Sequence, residues 1–329
     1  MKLDEIRTYK LSVEADGHSG GEGFLKEDTD LTISEGELLH AAVTCGIPEE
    51  RLVTGYPERP GGGISRRISL VEYSLETRGE YLRKSDRILE LDESMRSLIS
   101  YYLGMFITKL VSSKVYGVDY LVPLQLVRLE QGQENFRYHG RRRRDLIGYR
   151  EKPDGGFSVW EAIGRSNNSG KALKEGCEEA GEILTVNGRR PCRADSCMTY
   201  YGSRCLSVRV KSAAAASEGL EISFSPAAYF RAYYDTAYVL LRECYERESV
   251  RNQMVFGEER IEAEIPVLGG RKLYVGMPRR LFFALASDDE EELLVTAAEI
   301  MDKKKDPEIQ GPVCTETYCG NDGVSASVR

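Results

Sequence analysis

Hydrophobic residues recur at helical spacing in several long segments of the chain. The most regular stripe spans residues 90–115 and stops just before Gly117, a residue type that often ends helices. Residues 32–45 contain Ser34 and Glu37 at the spacing of a capping box, so they predict a helix that begins near Ser34. Further helices are predicted at 171–184, at 226–254 and from 288–292 onward. The last of these begins with an acidic run, which favours a helix N-terminus.

Shorter apolar runs, some of them with strict alternation, predict β-strands. The predicted strands lie at 7–14, 67–75, 120–129, 145–150, 157–163, 196–201 and 206–211. Residues 265–275 predict a hairpin that turns at Gly269 and Gly270. Between 90 and 211 the elements therefore follow the order helix, three strands, helix, two strands, which indicates an α+β fold.

These elements suggest four regions along the chain. The predicted regions are a mixed N-terminal part at 1–84, a core at 85–211, a C-terminal helical part with a β-hairpin at 220–302, and a tail at 303–329. Because the tail is polar and has few large apolar residues, we expect it to be disordered. The N-terminal and C-terminal regions are expected to pack around the core or to recognise a partner.

The composition is that of a globular protein: 41% of the 329 residues are hydrophobic and 30% are charged. No apolar run is long enough to span a bilayer, and the first residues lack the apolar segment of a secretory signal. We therefore expect a cytoplasmic protein that does not bind membranes. The eight cysteines are too dispersed for a disulfide-stapled domain and are expected to be free thiols. Neither Cys192/Cys197 nor Cys314/Cys319 has a histidine nearby, which argues against structural zinc.

The charge is unevenly distributed. The chain carries a net charge of −8, yet residues 137–211 contain 16 Lys and Arg against 9 Asp and Glu, an excess of seven positive charges. Within this basic stretch four consecutive arginines, Arg141, Arg142, Arg143 and Arg144, directly precede Asp145. Guanidinium groups match phosphate oxygens in a bidentate manner, so the run is either a phosphate-binding element or a solvated turn.

Two acidic residues of the basic stretch are candidates for a metal site. Asp145 begins one predicted strand and Glu161 lies on the next, so a hairpin can bring their carboxylates to one cation. The alternative is an ordinary surface hairpin with two solvated acids. Glu161 argues against that alternative because it stands between Trp160 and Ala162 in an apolar strand, where an acid without a partner costs free energy.

The segments around Asp145 and Glu161, together with the predicted helix at 171–180, resemble the PD-(D/E)XK nuclease-like superfamily. The likeness covers the middle of the chain and rests on the acidic residue of one strand and the glutamate of the next. The resemblance implies a restriction-endonuclease-like fold, a mixed β-sheet flanked by helices. It also implies Mg²⁺ or Mn²⁺ held by Asp145, Glu161 and the backbone carbonyl of Ala162. The implied activity is hydrolysis of DNA phosphodiesters by an endonuclease, as in bacterial restriction or defence against phage.

The sequence departs from the family pattern at one position. A lysine normally follows the glutamate by two residues, and Ile163 stands there instead. Three explanations remain open: another cation has taken over the role, the chain binds nucleic acid without cutting it, or the lysine was replaced in this particular sequence. The candidates for a relocated cation are Lys171, which we take as the third catalytic residue, Lys174 and Arg165.

Two functions are therefore predicted. The first is a metal-dependent nuclease that binds DNA through Arg165 and the arginine run at 141–144. The second is a catalytically inactive scaffold or interaction subunit that keeps the nuclease fold, with a protein partner or a second copy of the chain. Ile163 favours the second function, whereas the apolar surroundings of Glu161 favour the first.

Overall fold

The structure is a computed structural model that describes residues 8–15, 29–46, 62–131, 145–150, 156–214, 217–255, 257–267, 270–303 and 317–328. The strands are β1 (Thr8–Ala15), β2 (Thr29–Ser34), β3 (Leu75–Arg78), β4 (Tyr81–Lys84), β5 (Tyr120–Pro123), β6 (Asp145–Arg150), β7 (Gly156–Arg165), β8 (Ile183–Val186), β9 (Arg193–Tyr201), β10 (Leu206–Ser212), β11 (Leu220–Ile222), β12 (Val250–Val255), β13 (Glu258–Pro266), β14 (Lys272–Pro278), β15 (Tyr318–Cys319) and β16 (Ser325–Val328). The helices are α1 (Glu35–Thr44), α2 (Gly62–Ser74), α3 (Glu93–Tyr116), α4 (Leu124–Gln131), α5 (Gly170–Gly181), α6 (Pro226–Glu246), α7 (Arg279–Ala286) and α8 (Glu290–Lys303). The protein is thus α+β, as predicted.

A mixed sheet forms the centre of the fold. Its strands lie in the order β3-β4-β1-β10-β9-β7-β6-β5, and β2 pairs with β1. Strands β5, β6 and β7 are antiparallel neighbours, whereas β7 and β9 are parallel and are connected through α5. Strand β10 then pairs antiparallel with β9 and parallel with β1. The N-terminal region therefore contributes strands to the same sheet as the predicted core.

Helices cover both faces of this sheet. Helix α3 packs on β7 and β9, where Tyr116 contacts the buried Trp160 with 5.3 Å between ring centroids. The approach is close enough that a Cβ atom at Gly164 would lie 1.6 Å from the backbone oxygen of Ser100, so only glycine fits there. Helix α5 packs on β7, β9 and β10. Because residues alternate between the faces of a strand, neighbouring residues of β7 meet different helices.

Several helix boundaries agree with the predictions from sequence. Ser34 caps α1, and its hydroxyl and the Glu37 carboxylate form the reciprocal bonds of a capping box. Helix α3 ends at Gly117, whose φ of 67° lies in the left-handed region that glycine adopts at little cost. Asp289 accepts hydrogen bonds from the backbone of Glu291 and Glu292 at the start of α8. Local capping chemistry is thus sufficient to place these ends.

Other predicted elements are wrong. The strand predicted at 67–75 lies almost entirely within α2, whose buried Ile64, Ile68 and Val71 have helical spacing. The strand predicted at 120–129 stops at Pro123, and α4 follows it directly. The helix predicted at 226–254 ends at Glu246 and is followed by β12. Short apolar runs fit either a helix or a strand, and tertiary packing decides between them.

A second, antiparallel sheet occupies the C-terminal part in the order β12-β13-β14-β16-β15. The predicted hairpin at 265–275 is confirmed as the pair β13 and β14. The prediction of a disordered tail is wrong for residues 317–328, which form β15 and β16. Ala326 of β16 pairs with Val275 of β14 and is completely buried, as is Val324 just before the strand. This strand contains only a few small apolar residues, which is why the composition of the tail suggested disorder.

A buried polar network joins the helices to the turn before β16. The Nε2 atom of His40 on α1 lies 2.9 and 3.0 Å from the two carboxylate oxygens of Asp322, and the hydroxyl of Tyr233 on α6 donates to the same carboxylate. Lys109 on α3 donates to the Tyr233 hydroxyl at 2.7 Å. Each of these four side chains is at least nine-tenths buried. Three helices and the C-terminal turn are therefore held by one connected set of polar groups.

Candidate functional site

The backbone brings the two predicted acidic positions together. Asp145 and Glu161 are direct partners in the antiparallel pair of β6 and β7. Directly opposed positions of such a pair lie on the same face of the sheet, with Cβ atoms about 4.5–5.5 Å apart. For Asp145 the structure describes the backbone, and that backbone places the two positions side by side on one face of the sheet.

Glu161 is buried beneath helix α5. Its side chain is 2% exposed, and a Cβ atom added to Gly176 would lie 3.2 Å from the Glu161 Cγ atom. The same added atom would lie 2.5 Å from the Ser196 hydroxyl, so glycine allows the helix to approach the sheet at this point. An ionised carboxylate in such a place is stable only when hydrogen bonds, opposite charge or a metal ion compensate it.

The two residues after Glu161 lie on opposite faces of β7. Ala162 packs into the main core on the α3 side. Ile163 shares the face of Glu161 and is 7% exposed, within a small apolar cluster that contains Leu173, Met198 and Tyr200. Position 163 therefore contributes packing under α5, where the family pattern has an ammonium group.

The predicted relocated cations lie elsewhere. The Lys171 side chain is 86% exposed, and its Nζ atom is 3.8 Å from Glu175 on the outer surface of α5. Lys174 is 73% exposed and pairs in the same way with Glu178. The structure therefore does not bring Lys171 or Lys174 to the buried Glu161. Arg165 is exposed at the end of β7, and the predicted arginine run at 141–144 lies outside the described residues.

Two further polar residues share the row that contains Glu161, and sequence analysis did not single them out. Glu161 pairs with Ser196 on β9, and Ser196 pairs with Lys211 on β10. The Ser196 side chain is fully buried, and its hydroxyl has no hydrogen-bond partner within the described part of the chain. The sequence carries no clear signal for this row, because Ser196 lies in a strand that also contains the polar residues Asp195 and Thr199.

The donor set fits a magnesium ion better than a transition metal. Mg²⁺ takes oxygen ligands, keeps several waters, and is commonly bound through only one or two carboxylates and a phosphate. Asp145, Glu161 and the Ala162 carbonyl are a set of that kind. Among the described residues, no group of three or more His, Cys, Asp or Glu side chains is placed to hold a metal. The described cysteines are free thiols.

Ile163→Lys is expected to lower the free energy of unfolding by about 2–3 kcal/mol, because it buries an ammonium group in an apolar cluster. Chemical denaturation measures this loss. Ile163→Met is the matched control, since it keeps the volume of the side chain and should cost less than about 1.5 kcal/mol. Equal stability of the two variants would contradict the apolar character that the structure gives to this position.

Comparison of the chain with models of protein families, with curated proteins and with solved structures finds no match. Within the described ranges, no helix is both long and apolar enough to cross a membrane. Any functional assignment therefore depends on the arrangement of the residues themselves.

Proposed function

We propose that the chain is a Mg²⁺-dependent nuclease of the PD-(D/E)XK type that hydrolyses DNA phosphodiesters. The observation that carries this proposal is the register of β6 and β7, in which Asp145 lies directly opposite Glu161. One register step in either strand would move one of the two positions to the other face of the sheet. A site formed by two carboxylates requires both positions on one face, and the register of β6 and β7 meets that requirement.

The order of the surrounding elements supports the proposal. Helix α3 precedes the three antiparallel strands β5, β6 and β7, and helix α5 then leads to β9, which is parallel to β7. The resemblance to PD-(D/E)XK nucleases implies a mixed sheet with a helix before and after these three strands. A restriction or phage-defence role for the chain is an analogy at the level of this fold.

In the proposed site, Asp145, Glu161 and the carbonyl of Ala162 would hold Mg²⁺ or Mn²⁺. When bound, such an ion activates water and neutralises the charge that develops on the phosphate. Burial beneath α5 fixes the side chain of Glu161 and limits its access to bulk water. Arg165, together with the arginines at 141–144, is proposed to bind the DNA backbone, so binding should weaken as the salt concentration rises.

A second function is favoured by a different observation. Ile163 is packed with Leu173 and Met198, so the position of the usual lysine has become part of an apolar cluster. This is the arrangement expected of a nuclease fold that serves as a scaffold or interaction subunit. Its partner would be another protein or a second copy of the chain.

Cleavage of supercoiled plasmid DNA distinguishes the two functions. The nuclease proposal expects nicked or linear products with Mg²⁺ or Mn²⁺ and none with EDTA, and Glu161→Gln protein purified in parallel controls for contaminating nucleases. Full-length protein that cuts with neither metal would overturn the nuclease proposal. If such inactive protein also forms a stable complex, measured by light scattering after size-exclusion chromatography, the scaffold function is supported.

A further inference from the structure

Four positions of four adjacent strands form one row on the face covered by α5. In order across the sheet they are Asp145, Glu161, Ser196 and Lys211. Neighbouring strands are about 4.8 Å apart, so the Cα atoms of Glu161 and Lys211 are separated by about 10 Å. A lysine has a flexible four-carbon stem, so its ammonium group can span most of that distance. Lys211 itself is half-buried.

The space between Glu161 and Lys211 is bounded by small residues. Gly176 of α5 lies directly above Ser196. The next helix residue, Cys177, donates from Sγ to the backbone oxygen of Lys211 at 3.3 Å, so α5 crosses the row at this point. The buried Ser196 hydroxyl offers one donor and two acceptor positions, and it has no hydrogen-bond partner among the described residues. In this arrangement the hydroxyl therefore forms a hydrogen bond with neither Lys211 nor Glu161, but it can accept from an ammonium group and donate to a carboxylate when those side chains turn toward it.

We propose that Lys211 is a positioning residue whose ammonium group, by turning toward the Ser196 hydroxyl, supplies the positive charge near Glu161 that Ile163 cannot supply. This role rests on the proposed nuclease function. Lys171 and Lys174 cannot fill it from the exposed surface of α5, where they are 86% and 73% exposed. Lys211 instead belongs to the same row as Glu161, and it approaches from the side opposite Asp145.

The first test is kinetic. Lys211→Met keeps most of the aliphatic stem and is expected to lower kcat for plasmid cleavage by a factor of about 100, with KM for DNA nearly unchanged. Lys211→Arg should retain activity within about tenfold of wild type, because it restores the charge. Adding Ile163→Lys to Lys211→Met should recover most of the lost rate. Lys272→Met, which removes an ion pair in the second sheet, is the matched control and should leave kcat unchanged.

The second test does not depend on activity. Denaturant unfolding of Lys211→Met, Glu161→Gln and the double variant forms a double-mutant cycle. If the two side chains interact, the double variant will lose less stability than the sum of the losses in the two single variants. A second cycle pairs Ser196→Ala with Glu161→Gln and tests in the same way whether the Ser196 hydroxyl interacts with Glu161.

The outcomes separate the inference from the function on which it rests. Additive losses in the first cycle, or full activity of Lys211→Met, would overturn the role of Lys211 even if the wild type cuts DNA. Wild-type protein that never cuts would overturn the nuclease proposal and with it the positioning role of Lys211 in cleavage. A non-additive cycle in such protein would then identify Lys211 and Glu161 as a structural ion pair.

Discussion

Asp145→Asn and Glu161→Gln are each expected to lower the rate of Mg²⁺-dependent DNA cleavage by a factor on the order of 10³ or more. Both changes keep the size of the side chain and remove one negative charge from the proposed metal site. A neutral amide is a much weaker ligand for a hard divalent cation than a carboxylate is. Initial rates of plasmid nicking, measured at saturating Mg²⁺, test this expectation directly.

The glutamine at 161 should preserve the packing beneath α5, because it replaces a buried side chain by one of the same shape. Loss of cleavage can then be assigned to the site once circular dichroism shows that the variant is folded. Glu178→Gln is the matched control: Glu178 is 65% exposed on the outer surface of α5 and should have no influence on the rate. Normal cleavage by Glu161→Gln would rule out a role of this residue in metal binding.

Binding of Mn²⁺ provides an independent measurement of the same two variants. Titration calorimetry or electron paramagnetic resonance should detect one site in the wild-type protein and a marked loss of affinity in each variant. If the variants bind Mn²⁺ as well as the wild type does, the ion is held elsewhere. Metal affinity and cleavage should therefore fall together if Asp145 and Glu161 are the ligands.

The pairing of Asp145 with Glu161 could be predicted from sequence because only a short turn separates their strands. A hairpin fixes the register of its two strands within a few residues, so local information is sufficient. The positions of Ser196 and Lys211 in the same row could not be predicted from such local information. Ser196 and Lys211 join it only through the parallel pairing of β7 with β9 and the register of β10, and both depend on how α5 packs.

The prediction of helix or strand from sequence was wrong where the apolar runs were short. Residues 67–75 contain alternating apolar positions, yet Ile68 and Val71 also satisfy helical spacing together with Ile64. Packing of α2 against α3 selects the helix, and nothing local encodes that contact. Strand β16 was missed for the opposite reason, since its small residues gain their burial from β14 rather than from their own hydrophobicity.

The exposed positions of Lys171 and Lys174 have a similar explanation. Sequence places both lysines on the helix after Glu161, but it does not fix which face of the helix meets the sheet. The face that packs contains Leu173, Gly176 and Cys177, and the lysines belong to the other side, where each pairs with a glutamate four residues later. The small residue at Gly176 decides this orientation, because it permits the closest approach to Glu161.

Asp322→Ala is expected to lower the free energy of unfolding by about 3–5 kcal/mol, the largest stability effect that we predict for a single side chain. The carboxylate accepts hydrogen bonds from His40 and Tyr233 and lies 1% exposed at the centre of the polar network. Its removal takes a buried negative charge away from the vicinity of the buried Lys109 and leaves His40 and Tyr233 without their shared acceptor. Urea unfolding measures the loss. Asp288→Ala, an exposed position, is the control and should change stability by less than about 0.5 kcal/mol.

The same residue should make stability depend on pH in acid. Burial alone would raise the pKa of Asp322, but the charges of His40 and Lys109 and the hydrogen bonds to His40 and Tyr233 outweigh it and hold the pKa well below its usual range. A carboxyl group of this kind stabilises the fold fully above the ordinary aspartate pKa of about 3.9, and the stabilisation is lost as the pH falls toward the lowered value. The difference in unfolding free energy between the wild type and Asp322→Ala should therefore shrink as the pH falls below about 4. A difference that instead grows on acidification would contradict this assignment.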